Sequence, residues 1–287
     1  MSAHGSAAGG AATELRTIGG PSALSGGWQR CLRLVWRMAR TDFVLRYHGS
    51  VLGYVWSLLS PLLLFGVLYF AFTHIVKVGR GVPDYPAMLL FNLMLFQFFT
   101  EATERAVTSI VAGENLVRGT EFPRLAVPLS IVLGATFSLG LNMIVVFGFA
   151  LASGVQVRAT WLLFPLLLVA LYVVTVSCSL LLSTLYVRFR DVNQIWTVLT
   201  RALFYLTPVV FPVEFYPAAY KPLLVANPLA VILIQGRVWI IDPGAPTFAQ
   251  VAGGLGHIVI PTAITVLLCA YGIHYFNREA PRVAEEL

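Results

Sequence analysis

The chain has 287 residues, of which 58% are hydrophobic and only 11% are charged, and its mean hydropathy is +0.80. A soluble globular domain carries about 25% charged residues, so the composition excludes that class and indicates a membrane protein. The net charge of +6 comes without a basic patch interleaved with exposed aromatic residues, which excludes a nucleic-acid-binding module.

The first predicted element is a charged helix that follows an Ala/Gly/Ser-rich segment. We expect residues 1–27 to form a flexible cytoplasmic tail. At 100° per residue over 28–43, four arginines share one narrow arc and apolar residues occupy the other side. The arginines are Arg30, Arg33, Arg37 and Arg40, and the apolar residues are Trp28, Leu32, Val35, Trp36, Ala39 and Phe43. This pattern predicts an amphipathic unit over 28–45 in the inner headgroup layer, with the arginines toward phosphate groups. The arginines also suit a second interpretation, in which they only hold the N-terminus inside the cell.

Six segments of bilayer length follow within residues 46–287, since a membrane-crossing helix needs about 20 apolar residues. They are 51–75, 86–111, 126–152, 161–187, 193–212 and 248–275. An even number of spans places both termini on one side of the membrane. With the termini inside, the inner segments hold twelve Lys and Arg residues and the outer loops hold five, so the positive-inside rule places the termini in the cytoplasm. The sequence therefore predicts an all-α polytopic membrane protein with six transmembrane helices.

Two segments between the spans are exceptional. The polar residues 113–124 lie between the second and third spans, on the cytoplasmic side, where they can meet a soluble partner. Residues 213–242 contain an apolar stretch of only fifteen residues that Asn227-Pro228 interrupts. This stretch is too short to cross the membrane, and we expect two short re-entrant helices that border a pathway.

The chain lacks the usual signs of an enzyme. It has no Gly-rich loop ending in Lys-Ser/Thr that would bind nucleotide phosphates, no catalytic triad and no metal-ligand spacing among its Cys and His residues. We therefore expect no cofactor or metal on this chain, and ATP hydrolysis by a separate subunit. Glu101 and Arg105, with Glu104 between them, share a helical face of the second span. They fit either a proton or ion relay, or a paired structural cluster.

Aromatic residues are abundant in the first and fifth spans. Aromatic faces stack on sugar rings, so these side chains suit the lining of a glycan channel, and packing against lipid or protein is the alternative. The residues are Tyr54, Trp56, Tyr69, Phe72, Phe204, Tyr205 and Phe211.

Several strings together resemble the transmembrane subunit of ABC-2 polysaccharide exporters, the family that exports O-antigen, capsule and teichoic acid. They are RYHGSVLGYVWSLLSP over 46–61, NLVRGTEFPR over 115–124 with PL over 128–129, RFRDV over 188–192, YLTPV over 205–209 and NPL over 227–229. The resemblance runs from about residue 30 to the C-terminus. It implies six spans, a homodimer, and two cytoplasmic ATPase subunits that bind ATP and Mg.

The resemblance also implies roles for individual residues. Residues 113–124 would be a coupling helix in a groove of the ATPase, through Glu114, Asn115, Leu116, Arg118, Glu121, Phe122 and Arg124. Residues 213–242 would form external gate helices, and the first and fifth spans would line the channel. The substrate would be a polyprenyl-diphosphate-linked glycan, its diphosphate drawn to Arg40, Arg46 and Tyr47 at the cytoplasmic entrance. An exporter of drugs or small lipids, or an ATPase-independent membrane carrier or enzyme, are the competing hypotheses.

Overall fold

A computed structural model describes residues 27–47, 53, 55–79, 81–113 and 123–279, and all regular structure within these ranges is helical. The N-terminal half contains α1 (Trp28–Tyr47), α2 (Val55–Phe70, continued by a π-helical turn Ala71–Ile75), α3 (Tyr85–Ala112) and α4 (Ala126–Ala152). The C-terminal half contains α5 (Phe164–Arg188), α6 (Val192–Leu206), α7 (Lys221–Ala226), α8 (Pro228–Gly236), α9 (Phe248–Ala252) and α10 (Val259–Glu279). The prediction of an all-α membrane protein is confirmed at this level.

Helix α3 forms the centre of the fold. Most of its side chains are buried, and it packs against α4 and α5, with α2 and α6 on its flanks. Two polar groups of its N-terminal half have partners in the segment after α6: the Asn92 side-chain N–H donates to the carbonyl of Pro208 over 2.8 Å, and the Tyr85 hydroxyl donates to the carbonyl of Val210 over 3.1 Å. Because buried polar groups need such partners, these bonds fix the segment after α6 against the centre of the fold.

Four helical stretches of the described chain are long and apolar enough to cross a membrane. They are Val55–Ile75, Ala126–Ala152, Ala159–Arg188 and Leu255–Glu279, and a bent pair, Ala218–Ala226 with Pro228–Ile241, would be a fifth. The other two predicted spans do not meet this standard. Helix α6 has only 15 residues, and the polar residues Asn92, Gln97 and Glu101 interrupt the apolar run of α3.

Two predicted spans end or break earlier than the apolar pattern suggested. The segment predicted over 193–212 is helical only to Leu206, because Pro208 and Pro212 follow and proline cannot donate a helical hydrogen bond. The segment predicted over 248–275 is divided after Ala252 by Gly253 and Gly254. Their φ angles are +78° and +152°, a region that favours glycine and ends a right-handed helix.

The segment between the fifth and sixth predicted spans is sharply bent, as Asn227-Pro228 suggested. The helical stretches before and after Asn227 are bent by 102° relative to each other. The Asn227 side chain accepts a hydrogen bond from the Leu229 backbone N–H over 3.0 Å. At its far end α8 approaches α3 and α5 closely: a Cβ on Gly236 would lie 2.7 Å from the Phe91 ring and 2.8 Å from Leu167. A Cβ at this position would therefore require the Phe91 and Leu167 side chains to move.

Candidate functional site

The structure places an apolar and an arginine face on α1. Cys31, Val35 and Ala39 are buried where α1 packs on α4, while all four arginines predicted to face phosphate groups are exposed. Those arginines are Arg30, Arg33, Arg37 and Arg40. Trp28 and Trp36 remain 56% and 54% exposed beside the buried face. Helix α1 therefore presents exposed arginines on one side and, on the other, a protein contact with partly exposed tryptophans beside it.

A network of four charged side chains joins α1 to α3. Arg105 donates from one nitrogen to both carboxylate oxygens of Asp42, over 2.9 and 2.8 Å. Arg46 binds Glu101, and also Asp42 over 3.3 Å. The predicted Glu101–Arg105 pair is present at 4.0 Å, the longest contact of the network. Burial raises the pKa of the Asp42 carboxyl above its ordinary value, and the charge of Arg46 lowers it by less.

Two side-chain hydrogen bonds join the same region of α3 to α6, one of them to a charged group. The Thr200 hydroxyl donates to the Glu104 carboxylate over 2.8 Å. The indole N–H of Trp196 donates to the Thr103 hydroxyl over 3.0 Å. All three charged residues of α3 are thus paired across helices, with α1 on one side and α6 on the other.

The predicted coupling segment is described only at its ends. Glu114, Asn115, Leu116, Arg118, Glu121 and Phe122 lie outside the described residues. Arg124 is 1% exposed, and within the described part of the chain none of its three guanidinium nitrogens has a hydrogen-bond partner. Burial lowers the pKa of Arg124. A direct contact with another subunit would require this side chain to leave its buried position.

The predicted channel-lining aromatics fall into two groups. Trp56 and Tyr205 are 50% and 63% exposed. The other described ones pack within the chain: Tyr69 stacks on Phe65, Phe72 meets Phe211 edge-to-face, and Phe204 meets Phe96 edge-to-face. Tyr54 lies outside the described residues, and of Tyr47 only the backbone is described.

A second ion-pair cluster lies between the segment after α6 and the turn after α8. Arg237 is 5% exposed; it donates to Glu214 over 2.9 Å and to Asp242 over 3.3 Å. Asp242 also accepts from the Gly244 backbone N–H. Because Glu214 belongs to the segment after α6 and Arg237 to the turn after α8, the cluster holds these two parts together.

Comparison with known proteins identifies the family. Residues 33–238 match the ABC-2 type transporter family. The chain belongs to this family. It is 29% identical over 248 residues to the O-antigen export system permease protein RfbA of Klebsiella pneumoniae, covering 86% of this chain and 92% of the relative.

Two further relatives carry related names. The RfbA protein of Myxococcus xanthus is 26% identical, covering 68% of this chain and 75% of the relative. The polysialic acid transport protein KpsM of Escherichia coli is 22% identical, covering 78% and 85%. The suspected relationship to ABC-2 polysaccharide exporters is confirmed.

Within this ABC-2 chain, sequence reasoning missed the acidic partners of the buried cations. Asp42 is the only acidic residue in α1, a helix otherwise charged by arginines. A lone carboxylate on the apolar side of a basic helix indicates a cation on a neighbouring element, and that cation is Arg105. Glu214 and Asp242 gave no such signal, because they lie in irregular segments without a helical face.

Proposed function

We propose that this protein is the membrane subunit of an ATP-driven exporter that moves a polyprenyl-diphosphate-linked polysaccharide out of the cytoplasm. The observation that carries the proposal is the alignment of most of this chain with most of the length of permeases named for O-antigen export and for polysialic acid transport. Membership of the ABC-2 family supports transport rather than catalysis by this chain.

The proposed topology has six spans in the plasma membrane and both termini in the cytoplasm. Helices α3 and α6, which do not meet the length and apolarity standard on their own, supply the second and fifth spans, since the charges of α3 are paired inside the protein. The distribution of twelve inner and five outer basic residues supports this orientation. Helix α1 lies in the inner headgroup layer, and the bent pair α7–α8 re-enters from outside as a gate.

Energy reaches the chain through residues 113–124. This segment connects α3 to α4, so displacement there is transmitted directly to the central helix of the fold. Two ATPase subunits, which carry ATP and Mg, bind it on the cytoplasmic side. The charge network of α3 then transmits the movement to α1 through Asp42 and to α6 through Thr200.

The diphosphate enters beside α1. Arg40 is exposed and available for phosphate oxygens, whereas Arg46 already contacts two carboxylates. The guanidinium fork suits phosphate, and a diphosphate that reaches Arg46 competes with Asp42 and Glu101 for its guanidinium donors. Substrate arrival therefore loosens the α1–α3 network.

The conduit forms between two copies of the chain. Helix α2 is mostly unburied: only 11% of the residues in its most apolar stretch of 18 residues are buried. Helix α6 exposes one complete face. A homodimer that brings these faces together would place Trp56 and Tyr205 along a shared passage, where aromatic rings stack on passing sugars.

Reconstitution tests this function. The chain and its ATPase partner, placed in proteoliposomes, should hydrolyse ATP faster when a lipid-linked glycan is supplied than with the lipid carrier alone. Stimulation only by drugs or short lipids would replace the proposal with the competing ABC-2 substrate class. Transport or catalysis by this chain without any ATPase would contradict it.

A further inference from the structure

Arg201 differs from the other charged residues of the helical bundle. The three charges of α3 are all paired across helices, and Arg237 is held by two carboxylates. The Arg201 side chain is exposed, and among the described residues no ion pair or side-chain hydrogen bond holds it. It lies nine residues after Val192 and five before Leu206, about 14 Å and about 8 Å along the axis of α6.

Arg201 belongs to a polar stripe on α6. Gln194, Arg201 and Tyr205 are all exposed. At 100° per residue they fall within an arc of about 40°, and they extend over about 16 Å of helix. The opposite side of α6 carries Trp196 and Thr200, which bind α3. The stripe therefore points away from the protein interior of a single chain.

A lipid environment does not suit this face. Charged side chains within membrane spans are rare, and they face a partner or a water-filled cavity. A long side chain can extend its charge to the interface only near a helix end, and Arg201 is about 8 Å from Leu206 along the axis, with Tyr205 following on the same face. The adjacent exposed face, with Ile195 and Leu199, is apolar and suits lipid or a protein partner.

We propose that the stripe of Gln194, Arg201 and Tyr205 lines a water-filled passage and that Arg201 binds oxyanion groups of the transported molecule there. The inference rests on the proposed function for the passage itself, and adds a charged contact within it. The planar guanidinium offers five donors that match phosphate or carboxylate oxygens. Gln194 and Tyr205, at either side, supply hydrogen bonds for sugar hydroxyls.

Cysteine accessibility tests whether water reaches the stripe. In a variant of the assembled transporter without its native cysteines, each stripe residue is replaced singly, as Gln194→Cys, Arg201→Cys and Tyr205→Cys. Ile195→Cys and Leu199→Cys are matched controls on the same helix. Membrane-impermeant thiosulfonates should modify the stripe positions and leave the controls unmodified. Equal modification of both sets, or none at the stripe, would overturn the assignment of a wet face.

The charge of the reagent tests the role of Arg201. At Tyr205→Cys, an anionic sulfonate reagent should react faster than a cationic one of equal size. Adding Arg201→Gln should lower this preference by about tenfold, the effect of one charge about 6 Å away in a water-like medium on reagents of opposite sign. Arg201→Lys should retain it. A preference that survives Arg201→Gln would contradict the proposal.

Protection experiments identify the source of the oxyanion. Pyrophosphate that slows labelling of Tyr205→Cys indicates the diphosphate linkage, and glucuronate that slows it indicates acidic sugars. Protection by neither, relative to chloride at equal ionic strength, would overturn oxyanion binding. Failure of the proposed function is distinguishable, because assembly with an ATPase and stimulation by lipid-linked glycan are measured on the unmodified transporter.

Discussion

The Asp42–Arg105 pair should contribute measurably to the docking of α1 on α3. Arg105 contacts both oxygens of Asp42 at 2.9 and 2.8 Å, and the two side chains are 35% and 31% exposed. Exposed pairs contribute up to about 1 kcal/mol, and breaking buried ones costs about 3–5 kcal/mol. For this half-exposed pair with two charge-assisted contacts we expect an interaction energy of about 1–2 kcal/mol.

A double-mutant cycle measures this energy directly. Asp42→Ala, Arg105→Ala and the double variant are unfolded by titration with SDS in mixed micelles, and the interaction energy is the departure from additivity. Arg33→Ala, an exposed arginine of the same helix, is the control and should change stability by less than about 0.5 kcal/mol.

Exchange of the two charges provides the second half of the test. Asp42→Arg or Arg105→Asp alone places like charges together and should destabilise the protein and lower export. The double exchange restores opposite charges across the helices and should recover most of the lost stability and most of the lost export. Additivity of the alanine variants within about 0.3 kcal/mol, together with no recovery in the double exchange, would refute the role assigned to the pair.

Three further predictions concern separate elements. Gly236→Ala should destabilise the protein by about 1–3 kcal/mol by overpacking, while Gly140→Ala, with nothing within 4 Å, should not; equal SDS midpoints would disprove close packing of α8. Arg237→Ala leaves two carboxylates without their cation and should lower the free energy of unfolding by about 3–5 kcal/mol. The control Arg158→Ala, at an exposed position, should lower it by less than about 0.5 kcal/mol. An equally small effect of Arg237→Ala would show that the cluster is solvated. Phe122→Ala should leave the complex assembled and hydrolysing ATP but lower export per ATP, and an unchanged ratio would contradict the coupling role.

Much of the fold could be predicted from the sequence, because the length of an apolar run indicates whether a helix can cross the membrane. The third predicted span, residues 126–152, has the bounds of α4, since its apolar run ends in polar residues on both sides. The break after Ala252 could not be predicted from hydropathy, because it depends on the left-handed backbone of two glycines. Hydropathy depends on the side chains alone and carries no information on backbone φ angles.

The candidate site was less predictable than the fold. The arginine arc of α1 follows from helical periodicity alone, and its four members are exposed as expected. Which carboxylate meets Arg105 depends on how α1 packs across α4 and α3, a relation that no local pattern contains. The sequence offered Glu101, four residues away, and the structure shows Asp42, sixty-three residues away, as the closer partner.

Depletion of this protein tests the central claim most directly. Lipids are extracted from depleted cells and from cells re-expressing it, and glycans linked to polyprenyl diphosphate are identified by mass spectrometry. The account predicts that one such lipid-linked glycan accumulates inside the depleted cells while the corresponding polysaccharide disappears from their surface. Unchanged surface polysaccharide, with no accumulated lipid-linked glycan, would contradict it.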